Sequence, residues 1–128
     1  MRRVALLALA MSAVLSGTAF ASGHHTKVVG DCVHARYKPT SIILACGDGN
    51  YALTNISYTK WTAKVAKGTD RTFQNGCNPD CADGSPIYRH DNFTLDRPKT
   101  KHGMTVFTRA RVYHHGKLET SYPLGFPR

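Results

Sequence analysis

The sequence predicts a small all-β domain, an antiparallel β-sandwich or barrel held together by two disulfides. Three observations favour this fold class. Apolar and polar residues alternate in several short runs, turn residues interrupt these runs at close intervals, and no apolar pattern with helical periodicity lasts beyond two turns. The chain of 128 residues is also short enough to form one domain of ordinary size. We therefore expect a single antiparallel domain.

The first 21 residues have the pattern of a secretory signal peptide. Arg2-Arg3 precedes an uncharged, mostly apolar stretch at residues 4–15, and the segment ends in Ala19-Phe20-Ala21, a small-x-small cleavage site. The apolar stretch is too short to span a bilayer, which takes about 20 residues, so we expect no stable membrane anchor. The pattern predicts cleavage after Ala21, a secreted, extracellular protein and a single mature domain at residues 22–128.

Strand and turn signals alternate through the first half of the mature chain. Residues 22–28 are polar and short, which predicts a loose arm. Residues 40–46 form an apolar run that stops at Gly47-Asp48-Gly49-Asn50, a strong turn signal because Gly and Asn tolerate positive φ. Residues 51–58 follow the turn, so the two runs predict a β-hairpin.

The next segment carries the single tryptophan of the chain. Alternation predicts a strand over residues 61–67, with Trp61 on one face and Lys60 and Lys64 on the other, outer face. Gly68 is expected to end this strand, because glycine is unfavourable inside strands.

The second half of the mature chain contains one predicted loop and one strong strand. Residues 75–86 place two glycines and two prolines around two cysteines, which predicts a loop without regular structure. Residues 87–95 are a weaker strand candidate, and residues 96–103 are expected to form a basic turn. The clearest alternation covers residues 104–113, and a short strand over residues 118–122 completes the domain.

All four cysteines lie in the mature segment, and an even number outside the cytosol indicates two disulfides. Four cysteines allow three pairings. We favour Cys32–Cys46 with Cys77–Cys81, because each of these bonds closes a local loop. A zinc site is the alternative, but the paired CxxC spacing typical of zinc ligands is missing. We expect no metal and no cofactor.

Three motifs follow one another in the middle of the chain. They are Cys46-Gly47-Asp48-Gly49-Asn50, Trp61 and Cys77-Asn78-Pro79-Asp80-Cys81-Ala82-Asp83-Gly84. This order resembles small secreted proteins of actinobacteria, in which C-[GA]-D-G, a tryptophan-bearing segment and C-x-P-x-C-A-x-G recur. The resemblance covers residues 40–84, and Tyr58 stands where the W-x-x-W pattern of that family has its first tryptophan. It implies export and a shared architecture, and it supplies no catalytic residue.

The mature domain is basic. Loss of Arg2 and Arg3 with the signal peptide lowers the formal net charge from +9 to +7. Such a charge attracts phosphate groups, acidic glycans, anionic lipid headgroups and acidic proteins. The alternative interpretation is that the charge only keeps the protein in solution.

The best binding surface that the pattern offers is one face of the strand at residues 104–113. Its side chains are Phe107, Arg109, Arg111 and Tyr113, with Lys60 and Lys64 as an extension from another strand. Arginine makes bidentate contacts with phosphate or sulfate, and aromatic rings stack on bases or sugars. An ordinary solvent-facing sheet surface is the alternative.

Catalytic patterns are scarce in this sequence. Glu119 is the only glutamate, so a pair of catalytic carboxylates would have to include one of seven aspartates, most of which sit in predicted turns. The cysteines are expected to be oxidised, and no Gly-x-Ser-x-Gly nucleophile motif occurs. The histidines show no HxH or HExxH spacing that would bind zinc.

We therefore expect a non-catalytic binding module whose partner is an anionic polymer or an acidic protein. The first alternative is a small secreted ribonuclease, in which His114 and Glu119 would supply the acid and base and Arg109 or Arg111 would hold the phosphate. The second alternative is a secreted protease inhibitor that presents the loop at residues 75–86 to a protease cleft.

Overall fold

The computed structural model describes residues 24–128, so the predicted signal peptide lies outside the described residues. Within this range the chain is all-β, and its antiparallel sheets curl around an apolar core, which confirms the predicted fold class. The strands in chain order are β1 (Val28–Val29), β2 (Ala35–Arg36), β3 (Ile42–Ile43), β4 (Tyr51–Trp61), β5 (Ala66–Asn75), β6 (Pro86–Lys101), β7 (Met104–His114) and β8 (Lys117–Pro123).

Strands β3 to β8 form one six-stranded sheet in which each strand pairs with the next one along the chain, while β1 pairs with β2. Tight turns cause this consecutive pairing. The β6–β7 turn has positive φ at His102 (50°) and Gly103 (73°), and the β7–β8 turn has positive φ at His115 (48°) and Gly116 (75°). Two positive φ values at the centre of a two-residue turn match the twist of the flanking strands, which favours a tight hairpin at both places. The β6–β7 pairing keeps one register throughout, whereas the β7–β8 pairing shifts by one residue between Val112 and Tyr113.

The segment around β1 closes the curled sheet. The N–H of Lys27 donates to the carbonyl of Thr105 at 2.9 Å, and the carbonyl of Lys27 accepts from the N–H of Phe107 at 3.0 Å. The carbonyl of Gly30 accepts from the N–H of Ile43 at 2.8 Å. This segment therefore lies beside β7 at one end and beside β3 at the other, and it joins the two sides of the sheet.

Aromatic rings make much of the packing inside the sheet. Trp61 meets Phe107 and Tyr58 edge to face, with ring centroids 5.5 and 4.9 Å apart. The indole N–H of Trp61 donates to the carbonyl of Thr26 at 3.1 Å, so the ring also ties β4 to the segment before β1. Phe93 and Phe107 are the largest fully buried side chains, and rings of this size supply a large share of the apolar area that folding buries.

Both predicted disulfides are present. Cys32 pairs with Cys46, which links the segment after β1 to the segment between β3 and β4, and Cys77 pairs with Cys81 inside the loop between β5 and β6. No cysteine is left over for a zinc site. The local pairing is the one expected when each bond closes a short loop.

The predicted strand over residues 61–67 is wrong, because β4 ends at Trp61 and the chain turns back before β5. The hydroxyl of Thr62 accepts hydrogen bonds from the N–H groups of Lys64 at 3.2 Å and Val65 at 3.0 Å. A threonine that bonds to the backbone two and three residues later favours a turn over an extended strand. The alternation in this segment was therefore no guide to its conformation.

Gly68 lies inside β5 and does not end a strand. A Cβ atom at this position would come within 2.3 Å of the carbonyl oxygen of Ser57 and within 2.9 Å of the ring of Phe93. Glycine here allows a close approach of the backbone to a neighbouring strand and to a core ring, which is one of the reasons for glycine inside strands.

The predicted turn over residues 96–103 is also wrong, because β6 continues to Lys101. Strand β5 begins at Ala66, which lies opposite Leu95, so the rest of β6 has only β7 beside it. Pro98 lacks an N–H donor, and a strand tolerates proline where one of its edges is open. The open edge explains why this proline does not end the strand.

Candidate functional site

Four side chains form one row across the outer surface of the sheet. They are Lys60, Lys67, Thr94 and Arg111, and each lies directly opposite the next in the register of β4, β5, β6 and β7. Directly opposite residues project from the same face of a sheet, and neighbouring strands are about 5 Å apart. Three cations therefore lie in a line across the sheet, and we call this set the cationic row.

The two arginines that the sequence predicts to bind an anion share one carboxylate. Arg109 donates from Nε and Nη2 to the two oxygens of Asp96, and Arg111 donates from Nη2 to Asp96 Oδ2, each at 2.7 Å. The hydrogen bond from Arg109 holds the pKa of Asp96 below its usual value. Because two guanidinium groups meet one carboxylate, this cluster retains one positive charge.

The other residues that are predicted to bind a ligand do not all lie beside the two arginines. Tyr113 lies beside Arg111, whose guanidinium carbon is 5.8 Å from the ring centroid, and it faces Asn92 across the strands. Lys60 belongs to the cationic row. Lys64 lies in the turn between β4 and β5, not on a strand, so its predicted place on a strand face is wrong.

Phe107 does not lie on the predicted binding face. Its side chain is fully buried in the core with Ala110, although strict alternation would place these two residues on opposite faces. The alternation is interrupted beside Arg97, which has a φ of 52° and lies between the pairs Asp96–Arg109 and Pro98–Phe107. A ligand in solvent has no access to this ring.

An open cleft of about 500 Å³ lies on the sheet over β4, β5 and β6. Its exposed lining side chains are Asn55, Ser57, Thr69, Arg71, His90 and Asn92, and we call it the outer cleft. Asn55 has a φ of 48° in an irregular stretch of β4, where the register with β5 shifts, and such bulges often re-aim side chains. Within residues 24–128 these six side chains make no hydrogen bond, so their polar groups are free for a ligand.

A set of charged side chains lies on the inner side of strands β5 to β8. Its members are Asp70, Arg89, Asp91, His114 and Glu119, and we call it the inner charged network. Asp91 Oδ1 accepts from His114 Nδ1 at 2.5 Å, and Asp91 Oδ2 is 3.4 Å from Arg89 Nη2. Arg89 also donates to both oxygens of Glu119, with an Nη1–Oε1 distance of 2.7 Å. The ion pairs link all these residues except Asp70.

Asp70 is the least satisfied member of the inner charged network. Its Oδ2 accepts from the hydroxyl of Thr72 at 2.8 Å, while its buried Oδ1 has no partner among the described residues. Burial raises the pKa of Asp70 to about 6, and the nearby charge of Asp91 adds to this rise. The Asp70 carboxyl therefore holds its proton up to nearly neutral pH.

Glu119 also contacts a buried tyrosine. The hydroxyl of Tyr51 donates to Glu119 Oε2 at 3.5 Å, and its ring stacks on Tyr122 with centroids 5.3 Å apart. Burial, together with the charge of Glu119, raises the pKa of Tyr51 to about 12. The phenol therefore stays neutral beside the carboxylate and can only donate to it.

The structure brings together some of the residues named for the ribonuclease alternative and separates others. Arg89 and Asp91 connect His114 to Glu119, as a shared site would require. Arg109 and Arg111 are bound to Asp96 on the outer face, so they cannot hold a phosphate beside His114. The cation next to Glu119 is Arg89, which no pattern in the sequence places there.

The loop between β5 and β6, which the protease-inhibitor alternative invokes, folds back on itself. Asp80 Oδ1 accepts from the N–H groups of Ala82 and Asp83, each at 2.9 Å. Together with the Cys77–Cys81 bond, these contacts hold the tip of the loop in a tight local turn. Presentation of this loop to a protease stays a prediction.

Among residues 24–128, no three His, Cys, Asp or Glu side chains gather in a way that would hold a metal ion. The described part of the chain also contains no helix that is long and apolar enough to cross a membrane. Comparisons of the chain with protein-family models, with curated proteins and with solved structures find no match. We infer function from the chemistry of the cationic row, the outer cleft and the inner charged network.

Proposed function

We propose that this protein is exported and binds an anionic polymer outside the cytoplasm, without catalysis, through the outer surface of its sheet. Two disulfides in a domain of this size are typical of extracellular proteins, and the signal-peptide pattern at residues 1–21 supports export. The resemblance of residues 40–84 to small secreted proteins of actinobacteria supports the same location.

The observation that carries the proposal is the cationic row. Lys60, Lys67 and Arg111 project in a line across four neighbouring strands, and Arg71 lies four residues after Lys67 on the same face of β5. A polymer with regularly spaced negative charges can contact several such cations at once, and the release of its counterions favours binding. A rigid sheet holds the cations in place, so little conformational entropy is lost by the backbone on binding.

Binding to heparin and to single-stranded RNA at low and at high salt tests the proposal. We expect the oxidised protein to bind at least one of these polyanions, with an affinity that falls steeply between about 50 and 200 mM salt. The double variant Lys60→Gln/Lys67→Gln should weaken binding about tenfold and lower the dependence on salt, because two of the contacting charges are gone.

The matched control is Lys99→Gln/Lys101→Gln, which removes two cations from the same sheet outside the row. It should change the affinity much less. Equal losses of polyanion affinity in both double variants would place the binding elsewhere on the molecule. If no polyanion binds at low salt, the proposed function is contradicted. Selective binding of an acidic protein would replace the polymer as the partner.

The inner charged network favours a second candidate function, the cleavage of RNA. His114 is oriented by Asp91 through Nδ1, and its other ring nitrogen makes no hydrogen bond to the described residues. An imidazole held in this way can accept the proton of a ribose 2′-hydroxyl while that oxygen attacks the adjacent phosphorus. The bond from phosphorus to the 5′-oxygen breaks, and Glu119 is the acid that gives the leaving 5′-oxygen its proton. Arg89 is the cation nearest to Glu119 and could stabilise charge on the phosphate.

Assay of RNA cleavage with His114→Ala and Glu119→Gln tests this candidate. Both variants should lose most of the activity of the parent protein, whereas His115→Asn, which changes the neighbouring exposed histidine at a position with positive φ, should retain it. Cleavage that survives in both His114→Ala and Glu119→Gln would rule out this site.

A further inference from the structure

We propose that the outer cleft binds an acidic sugar residue of a polysaccharide, with sugar hydroxyls on its amide and hydroxyl side chains and the acidic group on Arg71. This inference rests on the proposed function and deepens it. The cationic row alone would attract any polyanion. The outer cleft would add contacts that are specific for an acidic sugar.

The lining of the outer cleft has the chemistry that sugar hydroxyls require. Asn55 and Asn92 each offer two donors and an acceptor, and the hydroxyls of Ser57 and Thr69 both donate and accept. The cleft volume of about 500 Å³ lies in the range of small-ligand sites. The cleft can therefore take one or two sugar rings.

Arg71 supplies the charge that selects an acidic sugar. Its guanidinium lies over the ring of Tyr88, with the carbon 4.1 Å from the ring centroid, which limits its motion and leaves its edge open. A planar guanidinium binds carboxylate, sulfate or phosphate in a bidentate manner. His90 lies directly opposite Arg71 on β6 and adds a further donor at this end of the cleft.

The floor of the cleft does not repel such a ligand. Asp70 and Asp91 lie among the lining residues, but the side chain of Asp91 has no exposed surface and is paired with Arg89 and His114. The carboxyl of Asp70 is buried on the inner side of the sheet. The negative charges therefore lie beneath the sheet, and the groups that face the ligand are neutral or cationic.

The same lining disfavours RNA as the ligand of the cleft. Single-stranded nucleic acids bind where aromatic rings stack on the bases, and each stacked base adds about 1–3 kcal/mol of binding free energy. None of the residues that line the cleft has such a ring except His90. Tyr88 is not part of the lining, and the guanidinium of Arg71 lies over its ring. Neutral hydrogen-bonding groups predominate instead.

Affinity measurements with four probes test the inference: hyaluronate, heparin, neutral dextran and poly(U) RNA. Hyaluronate carries carboxylates only, whereas heparin also carries sulfates, so the two separate the possible acidic groups. We expect Asn92→Ala, which removes no charge, to lower the affinity for one of these acidic glycans about tenfold and to leave poly(U) binding unchanged. Ser57→Ala should act in the same direction, and dextran should bind much more weakly than the acidic glycans.

Arg71→Gln is compared with the control Lys99→Gln, because each variant removes one exposed cation from the sheet. Arg71→Gln should weaken glycan binding about tenfold, and Lys99→Gln less than about twofold. If Asn92→Ala and Ser57→Ala stay folded and bind the glycans normally, or if poly(U) alone depends on the cleft, the inference is wrong while the proposed function stands. If no polyanion binds at low salt, the proposed function fails with it.

Discussion

Asp70 and Asp91 lie directly opposite each other on neighbouring strands, and both carboxyl groups are buried inside the sheet. Asp91 is compensated by His114 and Arg89, whereas Asp70 has one hydrogen bond, from Thr72. Burial raises the pKa of Asp70, and the charge of the facing Asp91 adds to this rise.

We expect Asp70→Asn to stabilise the protein in a pH-dependent way. The pKa of Asp70 is about 6 in the folded protein and 3.8 as a free side chain. Between these values the folded state binds more protons than the unfolded state, so the stability due to Asp70 falls as pH rises through this window. Asparagine does not titrate, so the gain in unfolding free energy from Asp70→Asn should be absent below about pH 4. It should reach at most about 3 kcal/mol above pH 6.

Urea unfolding of the parent protein and of Asp70→Asn at several pH values across this window measures the difference in unfolding free energy. Asp83→Asn serves as the control, because Asp83 is an exposed aspartate in the loop between β5 and β6. A gain from Asp70→Asn that is the same at all pH values would show that the carboxyl of Asp70 is not perturbed.

Gly68→Ala should destabilise the protein by about 1–3 kcal/mol, because the added methyl group overlaps a strand carbonyl and the ring of Phe93. Gly47→Ala is the matched control, since a Cβ there meets nothing within 4 Å, and it should change stability by less than about 0.5 kcal/mol. Thermal unfolding of the two variants gives the comparison. Equal stability of both would mean that β4 and β5 lie farther apart at Gly68 than the structure shows.

Phe107→Ala should cost about 3–5 kcal/mol of unfolding free energy, because the ring is fully buried against Trp61. Phe107→Leu keeps most of the apolar volume and should leave a folded protein with unchanged heparin affinity. A folded Phe107→Leu variant that binds heparin much more weakly would restore the sequence-based prediction that this ring contacts the ligand.

Removal of the Cys32–Cys46 disulfide by Cys32→Ser/Cys46→Ser should lower the unfolding free energy by about 3 kcal/mol, because the unfolded chain regains the freedom of a 14-residue loop. Cys77→Ser/Cys81→Ser opens a loop with a separation of only 4 and should cost less. Denaturant titrations of the two double variants show which one loses more unfolding free energy. A larger loss for the variant that opens the shorter loop would contradict the prediction.

Asp96→Asn should strengthen polyanion binding, because it releases Arg109 and Arg111 from their shared carboxylate and adds one net positive charge to the outer surface. We expect the slope of log affinity against log salt to steepen by about one contact. Asp83→Asn makes the same change in net charge in a loop away from this surface. If both variants bind equally well, only the total charge of the protein matters.

The fold class and both disulfides could be predicted from the sequence, because alternation, turn residues and cysteine spacing are local signals. The errors occurred where a strand depends on its neighbours. Gly68 and Pro98 look like strand breakers, but one makes room for Phe93 and the other lies where β6 has an open edge.

The candidate site was harder to predict, because its residues are brought together by the register between neighbouring strands. Nothing in the sequence shows that Lys60 lies opposite Lys67, or that Asp70 lies opposite Asp91. One signal was available: Asp70 and Asp91 are aspartates outside any predicted turn, and an acidic residue inside a strand usually needs a partner. Phe107 was misplaced because one irregularity beside Arg97 shifts the alternation in the neighbouring strand.

The closure of the sheet by the segment around Lys27 also bears on the order of events during biosynthesis. Each pairing from β3 to β8 joins neighbours in the chain, so successive hairpins can form as they emerge. Lys27, which contacts Thr105 and Phe107, is made much earlier than β7, and its backbone groups lack these partners until that strand arrives. A nascent chain halted before β7 would therefore expose an unpaired strand edge, which makes such chains targets for chaperones and proteases.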